Sequence, residues 1–187
     1  MMTKEQNHIS KFISLILRHK PEAINITLND QGWANVQNLL EGMHQQKKNC
    51  TLNDLIVVVD DDSKGRYSFN DDKTMIRANQ GHSLDYINLE LKPLELREIP
   101  NWLYHGTNSR AIKDIMEQGL QPMGRQYVHL SDNIETAKTV GDRRLTKDTV
   151  TKIFKISTIE AVNDGIQFYK SENGVYLVET IPPHLLR

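Results

Sequence analysis

Two histidines stand at the ends of short apolar segments, each close to a hydroxyl-bearing residue. His105 precedes Gly106 and Thr107, and His129 lies two positions before Ser131. Two histidines that strands deliver to one cleft are typical of a metal site or of general acid–base chemistry. The sequence has one cysteine, no HExxH or CxxC pattern and no carboxylate at a motif position beside either histidine, so a metal shell is hard to complete. The remaining groups favour a pocket for a phosphate-rich ligand, without a bound metal.

Four basic residues in the first half suit the same kind of ligand. Arg18 and His19 end the first helical segment, where they either complement the negative end of the helix dipole or face an anion. Arg66 and Arg77 lie on a predicted hairpin, where each is either a solvated surface cation or a phosphate contact. Taken singly, each residue fits the simpler structural explanation better.

A polar loop follows the hairpin and contains Asn79, Gly81, His82 and Ser83. Small and hydrogen-bonding residues around a glycine are typical of a loop that lets backbone approach a ligand. An ordinary Asn/Gly turn has the same composition, so both interpretations stand.

Further arginines occur in the second half. Arg125 precedes the segment that ends in His129, and it either contacts a ligand or packs on Tyr127. Arg143 and Arg144 form either a flexible basic loop or a clamp for phosphate. No GxGxxG or GxxxxGK[ST] pattern occurs, so a nucleotide would be bound without a Rossmann turn or a P-loop.

The elements that must carry the first group of residues are predicted from periodicity and capping. Apolar residues recur at helical spacing over residues 9–19, and Pro21 ends that helix. Thr51 with Asp54 resembles a capping box for a third helix. The predicted elements are helices over residues 9–19, 36–45 and from 52 onward, and a hairpin of residues 66–69 and 74–77. Three helices and a β-wing predict a winged-helix-like lobe.

The second half mixes strands and helices. A charged segment at residues 92–100, with prolines near both ends, is the best candidate for a linker and predicts domains at 1–92 and 93–187. Gly119 is placed to end a helix over residues 109–118, and Asp132 with Glu135 resembles a cap for a helix over 134–140. Strands are predicted to end at residues 104 and 129, to cover 150–156, and to form a last central strand at 174–178. The fold class is therefore α+β, with a strand-rich second lobe.

Composition narrows the class of protein. The 187 residues are 25% charged and 38% hydrophobic, as in ordinary globular domains. One cysteine, no long apolar run and no signal-like start predict a cytoplasmic protein without a membrane segment. A net charge of −1 argues against a non-specific nucleic-acid coat, and nothing indicates a dimer, so a monomer is expected.

Seven segments, in order along nearly the whole chain, resemble the RNA (tRNA) 2′-phosphotransferase family of the KptA type. They are residues 10–22, 30–33, 66–69, 76–83, 103–107, 125–131 and 172–176, which read SKFISLILRHKPE, DQGW, RYSF, IRANQGHS, LYHGT, RQYVHLS and ENGVY. Several motifs in order are far more specific than any one of them. The resemblance implies a winged-helix N-terminal lobe and a C-terminal lobe of the NAD-dependent ADP-ribosyltransferase fold.

The resemblance also implies a two-step reaction on RNA that carries an internal 2′-phosphate, with NAD as co-substrate and no metal. The 2′-phosphate first attacks C1″ of the nicotinamide ribose, which releases nicotinamide and leaves an ADP-ribosylated 2′-phosphate. The ribose O2″ then attacks that phosphate. The products are RNA with a free 2′-hydroxyl and ADP-ribose 1″,2″-cyclic phosphate.

By motif match, the resemblance implies catalytic roles for Arg18, His19, Arg66 and Arg125 in holding the 2′-phosphate. Fixed guanidinium groups suit a phosphate dianion that must lie beside a sugar becoming cationic. The implied NAD-binding residues are His105, Gly106, Thr107, His129 and Ser131, together with Asn79, Gly81, His82 and Ser83 toward the adenosine side or the lobe interface. Arg77, Arg143 and Arg144 are expected to meet RNA phosphates.

Two other functions remain open at this point. One is an ADP-ribosyltransferase that acts on another acceptor, such as a terminal nucleic-acid phosphate or a protein. Such an enzyme would not need Arg18, His19 and Arg66 together. The other is a non-enzymatic winged-helix nucleic-acid binder, which the near-neutral charge and the pocket-like strand ends of the second half disfavour.

Overall fold

A capping box begins the first helix, which runs over Lys4–Arg18 in the computed structural model (α1). Thr3 Oγ1 accepts a hydrogen bond from the backbone N–H of Gln6, and the Gln6 side chain accepts one from the N–H of Thr3. The helix therefore starts earlier than the predicted residue 9, because polar residues cap it ahead of the apolar stripe. The structure describes residues 3–143 and 145–187.

The first of two compact units covers Met1–Glu90. Its elements are α1, β1 (Trp33–Asn35), α2 (Val36–Gln45), α3 (Leu52–Asp60), β2 (Tyr67–Phe69) and β3 (Met75–Ala78), with a 3₁₀ turn at Pro21–Ile24. The predicted helix over residues 36–45 is confirmed, and so is the capping box of Thr51 and Asp54 on α3. The strands form an antiparallel sheet in the order β1-β3-β2. The short strand β1 was not predicted.

One face of that sheet packs on the helices and forms the core of the first unit. Ile76 and Ala78 of β3 are fully buried, as are Ile13 and Leu17 of α1. Tyr67 is buried too, and its hydroxyl donates to the carbonyl of Ser10 at 2.6 Å. Since side chains alternate along a strand, the residues between these buried positions point to the opposite face.

The second unit covers Leu91–Arg187, and the predicted division at 92/93 falls two residues later than its start. Its elements are β4 (Trp102–Asn108), α4 (Ile112–Gln118), β5 (Val128–Leu130), α5 (Ile134–Asp142), β6 (Thr151–Ser157), α6 (Thr158–Asn163), β7 (Tyr169–Lys170) and β8 (Tyr176–Val178). Strands β4 and β6 pair antiparallel, and β8 lies at the centre of the order β5-β8-β7. The prediction of a last, central strand is confirmed, and the α+β class holds for both units.

Three local predictions in the second unit need correction. The strand through Tyr104 continues to Asn108 instead of ending, because β4 pairs with β6 along its whole length. The cap of α5 is Asn133, whose side chain accepts from the N–H of Thr136, and Asp132 is not the cap. The predicted helix over residues 109–118 begins as a 3₁₀ turn, Ser109–Ala111, before α4. Strand β7 and helix α6 were not predicted.

Within the described residues, no helix has the length and apolar character needed to cross a bilayer.

Candidate active site

The C-terminal end of α1 presents Arg18 and His19 from a well-defined position. His19 is the C-cap residue, and its N–H donates to the carbonyl of Leu15 at 3.0 Å. The loop that follows β3 reaches back to both residues. Ser83 donates its N–H to the carbonyl of Arg18 at 3.0 Å, and its Oγ lies 2.8 Å from Nδ1 of His19. The loop therefore bonds to the backbone of Arg18 and to the ring of His19 at the end of α1.

Gly81 lies against the Arg18 side chain in the same loop. Its φ of +85° is a conformation that favours glycine, and a Cβ there would lie 3.7 Å from Nη1 of Arg18. Two of the residues predicted to meet NAD at this loop, Gly81 and Ser83, therefore lie against the Arg18–His19 pair. Their role toward NAD stays a prediction.

His82 is almost completely enclosed, with 1% of its surface exposed. Among the described residues, neither ring nitrogen has a hydrogen-bond partner. Burial, followed by the nearby Arg18, His19 and Arg77, lowers the pKa of His82 from 6.5 to about 4. The ring is therefore neutral at pH 7. The side chains that contribute to this shift are all basic, so Arg18, His19 and Arg77 form an electropositive region around His82 when His19 is protonated.

Arg66 and Arg77 lie on the face of the sheet that points away from the core. Arg77 on β3 pairs with Ser68 of β2 and with Trp33 of β1, and its guanidinium carbon lies 4.5 Å from the Trp33 ring centroid. Stacking on an indole restrains a guanidinium. Arg66 immediately precedes β2 and forms an ion pair with Asp62.

Asn79, which follows β3, forms hydrogen bonds with the backbone of Gly65 and Arg66. Its backbone N–H donates to the carbonyl of Arg66 and its side-chain amide donates to the carbonyl of Gly65, both at 2.8 Å. The residue is 7% exposed. The structure thus gives Asn79 a bonding role in the first unit, and its predicted contact with NAD stays a prediction.

In the second unit, hydrogen bonds link three of the predicted site residues. Nδ1 of His105 lies 3.1 Å from the carbonyl oxygen of His129, and Nδ1 of His129 lies 3.1 Å from Nη1 of Arg125. A carbonyl only accepts, so His105 carries a proton on Nδ1. The pKa of His105 is lowered, mainly by burial and to a smaller extent by the charge of Arg125. The hydrogen bond to the His129 carbonyl acts in the opposite direction and raises this pKa. The neutral ring keeps the lone pair of Nε2 as an acceptor.

Strands β4 and β5 meet beside these histidines. Tyr104 and Ser131 exchange two backbone hydrogen bonds of 2.8 and 2.9 Å. The hydroxyl of Ser131 accepts the N–H of Asn133 at 3.1 Å and so helps to begin α5. Two strands that are far apart in sequence are therefore joined next to His105 and His129, as the predicted meeting of the two histidines requires.

Gly106 and Gly141 allow α5 to approach β4 closely. A Cβ on Gly106 would lie 1.7 Å from the carbonyl oxygen of Ala137, and one on Gly141 would lie 3.1 Å from the N and O of Thr107. Backbone contact at these distances leaves no space for a side chain. Gly106 is thus a packing residue, and its predicted contact with NAD is untested.

The remaining predictions concern the end of α5 and metals. Arg143 is the exposed C-cap residue of α5, and Arg144 lies outside the described residues. Across residues 3–143 and 145–187, no cluster of three or more histidine, cysteine or acidic side chains could hold a metal ion. The absence of a metal from the reaction stays a prediction.

Sequence reasoning missed Asp62 and Trp33 as residues that contact site arginines. The i,i+4 spacing of Asp62 and Arg66 was a usable signal for an ion pair. The burial of Asp62 was not readable, because it depends on the packing of the rest of the unit. Trp33 stood inside a family-like segment, but only the pairing of β1 with β3 brings it to Arg77.

Hydrogen bonds and stacking hold arginine and histidine groups in place on two α+β units, and groups of these types suit phosphate-bearing ligands. A sequence model of the RNA 2′-phosphotransferase, Tpt1 / KptA family matches residues 4–180, and the chain belongs to that family. The resemblance inferred from the seven segments is thereby confirmed.

Curated relatives of the same description are similar to this chain over nearly their full length. A probable RNA 2′-phosphotransferase of Fusobacterium nucleatum subsp. nucleatum is 43% identical over 179 residues, covering 96% of this chain and 96% of that protein. Another from Pectobacterium carotovorum subsp. carotovorum is also 43% identical, over 97% of this chain and 94% of that protein. A third, from Flavobacterium johnsoniae, is 43% identical over 94% and 92%.

Proposed function

We propose that this protein is an NAD-dependent RNA 2′-phosphotransferase that removes an internal 2′-phosphate from RNA. The observation that carries the proposal is the electropositive region around His82. There Arg18, His19 and Arg77 gather from the end of α1 and from β3. Membership of the Tpt1 / KptA family and the names of the relatives support the same activity.

We also propose fold assignments for the two units. Three helices with a three-stranded antiparallel sheet support a winged-helix type for the first unit. In the second unit, the β4–β6 pair and the β5-β8-β7 sheet, joined at Tyr104 and Ser131, support the ADP-ribosyltransferase type. The first unit would bind the RNA phosphate, and the second would bind NAD, which is consumed as a substrate.

The reaction would proceed in two transfers. An oxygen of the RNA 2′-phosphate bonds to C1″ of the nicotinamide ribose while the bond from C1″ to nicotinamide breaks. The ribose O2″ then bonds to the phosphorus, the bond from phosphorus to the RNA O2′ breaks, and the proton of O2″ is delivered to O2′. The RNA leaves with a 2′-hydroxyl, and the phosphate leaves as ADP-ribose 1″,2″-cyclic phosphate. Neither transfer needs a metal.

Arginines and His19 would act on the phosphate in both transfers. Arg18, His19 and Arg66 would fix its oxygens, and Arg125 would stabilise the charge that develops in the second transfer. A guanidinium held before substrate arrives needs little reorganisation during reaction, which is the basis of such stabilisation. The ion pair of Asp62 supplies that preorganisation for Arg66, and the contact with Ser83 restrains the ring of His19.

The histidine pair of the second unit has groups that fit a ribose. His105 keeps the Nε2 lone pair as an acceptor in its neutral form, and a ribose hydroxyl is a matching donor. Thr107 lies two residues after His105 on β4, so the two side chains share a face of the strand, and Ser131 lies beside Tyr104 of β4. These groups would orient the nicotinamide ribose so that C1″ faces the phosphate, since attack requires alignment of the reacting atoms.

The test is a mass measurement on a short RNA that bears one internal 2′-phosphate, incubated with the protein with and without NAD. We expect NAD-dependent loss of one phosphate and formation of the cyclic phosphate product. The same RNA with a 2′-hydroxyl is the substrate control. Arg18→Gln should abolish turnover, whereas Arg97→Gln, at a largely exposed arginine, should not.

Other outcomes of that measurement point elsewhere. An RNA–ADP-ribose adduct that accumulates in the unchanged protein would show that the first transfer works and that release of the phosphate is not its function. Binding of NAD with no change to the RNA would favour an ADP-ribosyltransferase that acts on another acceptor.

A further inference from the structure

A buried carboxylate that no motif marked holds Arg66. Asp62 follows α3, four residues before Arg66, and its side chain is 1% exposed. Its Oδ1 pairs with Nη1 of Arg66, and its Oδ2 accepts the backbone N–H of Arg66 at 2.6 Å. One carboxylate therefore restrains both the backbone and the side chain of this arginine.

The backbone around Arg66 is also bonded from the opposite side. The carbonyl of Arg66 accepts the N–H of Asn79, and the carbonyl of Gly65 accepts the Asn79 side chain. With the backbone fixed in this way, the main freedom left to Arg66 is rotation of its long side chain. The contact with Asp62 removes part of that freedom before any ligand binds.

The geometry of a guanidinium allows it to pair with Asp62 and bind phosphate at once. The group carries five N–H donors in a planar fork, and Oδ1 of Asp62 engages Nη1. Nε and Nη2 remain available as donors to a second, charged acceptor. The Arg66 side chain is 27% exposed, so part of it can reach a ligand while Asp62 stays enclosed.

We propose that Asp62 is a positioning residue, which holds the Arg66 guanidinium in the orientation that binds the RNA 2′-phosphate. The inference rests on the proposed function, because it requires Arg66 to contact that phosphate. Asp62 itself touches no substrate and acts through Arg66. A purely structural role is the alternative, in which Asp62 only closes the turn after α3 through its bond to the N–H of Arg66.

Asp62→Asn separates the two roles. An asparagine oxygen can still accept the backbone N–H of Arg66, so the turn is kept, while the charged contact with the side chain is lost. The measured quantity is phosphate selectivity, the ratio of the Kd of a 2′-hydroxyl RNA to that of the matching 2′-phosphate RNA. We expect Asp62→Asn to lower this ratio on the order of tenfold, as when a partner that orients a binding group is removed.

The control variant is Asp60→Asn, which removes the same charge from an exposed position at the end of α3. Selectivity in Asp60→Asn should stay within about twofold of the unchanged protein, because exposed charges are largely screened. If Asp62→Asn fails to fold, Asp62→Ser carries the same test, since a serine hydroxyl can also accept the N–H of Arg66.

A double variant decides whether Asp62 acts through Arg66. In an Arg66→Ala background, adding Asp62→Asn should change selectivity by less than about twofold, because the residue it positions is gone. Full selectivity in Asp62→Asn, or additive losses in the double variant, would overturn the inference and leave the proposed function intact. Full turnover and selectivity in Arg66→Ala would instead remove Arg66 from the proposed function, and Asp62 with it.

Discussion

Nη1 of Arg125 lies 3.1 Å from Nδ1 of His129, and this contact fixes the state of the histidine. A guanidinium has only donors, so Nδ1 of His129 must present its lone pair. His129 is therefore the uncharged tautomer with its proton on Nε2. His105, which donates from Nδ1 to the His129 carbonyl, carries its proton on the opposite nitrogen. The two histidines thus carry their protons on opposite ring nitrogens.

Replacement of Arg125 by lysine should lower turnover of 2′-phosphorylated RNA by about a hundredfold, the loss typical of one transition-state donor. Lysine keeps the charge but has no planar fork that can hold His129 and a phosphate together. Single-turnover kinetics measure the effect, with Arg110→Lys, at an exposed arginine, as the control. Wild-type rates in Arg125→Lys would show that charge alone suffices at this position.

Ser83→Ala should reduce turnover about tenfold while lowering the free energy of unfolding by no more than about 1 kcal/mol, the net contribution of a typical hydrogen bond. Without Oγ of Ser83, Nδ1 of His19 loses the partner that orients the ring. Steady-state kinetics and urea unfolding of the variant measure the two effects. Ser63→Ala, at another exposed serine, is the control. Equal turnover in Ser83→Ala and Ser63→Ala would mean that His19 does not depend on this contact.

The buried ring of His82 should make folding sensitive to acid. Burial and the neighbouring Arg18, His19 and Arg77 hold its pKa at about 4 in the folded protein, against 6.5 when the chain is unfolded, so the unfolded chain takes up the proton first. Stability should be lost as pH falls from 6.5 toward 4, by about 3 kcal/mol. The measurement is the free energy of unfolding across this pH range for the unchanged protein and for His82→Leu.

In His82→Leu this part of the pH dependence should disappear. His8→Leu, at an exposed histidine of α1, should keep the pH profile of the unchanged protein. Parallel profiles for the unchanged protein and His82→Leu would show that the ring is protonated as easily in the folded state as in the unfolded chain.

Gly106→Ala should destabilise the protein by more than about 3 kcal/mol, beyond the usual cost of overpacking. The added methyl group would meet the carbonyl of Ala137, which belongs to the backbone of α5 and cannot move aside easily. Thermal or denaturant unfolding measures the loss. Gly124→Ala is the matched control, because no heavy atom lies within 4 Å of its added methyl. A stable Gly106→Ala that binds NAD poorly would instead assign this glycine to the ligand.

Local signals made the helices of the first unit predictable. Apolar spacing and the Thr51–Asp54 pair act within a few residues, so α2 and the start of α3 could be read from the sequence. The three-residue strand β1 could not be read, because it is too short for a periodic pattern and exists through pairing with the distant β3.

The candidate site also has a part that could be predicted from the sequence and a part that could not. Residue types and motif order identified Arg18, His19, Arg66, His105 and His129 as candidates. The contacts that hold them could not be predicted, because they join residues that are distant in sequence. Ser83 and His19 are 64 positions apart, and the environment of His82 depends on residues from α1 and β3.

Strand β3 makes the placement of Arg77 a by-product of core formation. Ile76 and Ala78, which flank Arg77 in the sequence, are fully buried. A shift of the strand by one position would therefore expose both residues and bury the Arg77 guanidinium. The free energy that keeps the apolar residues inside therefore also keeps Arg77 on the opposite face of the sheet. Phosphate should meet this arginine already in place, and the association should resemble docking onto a rigid surface, with little ordering of this strand on binding.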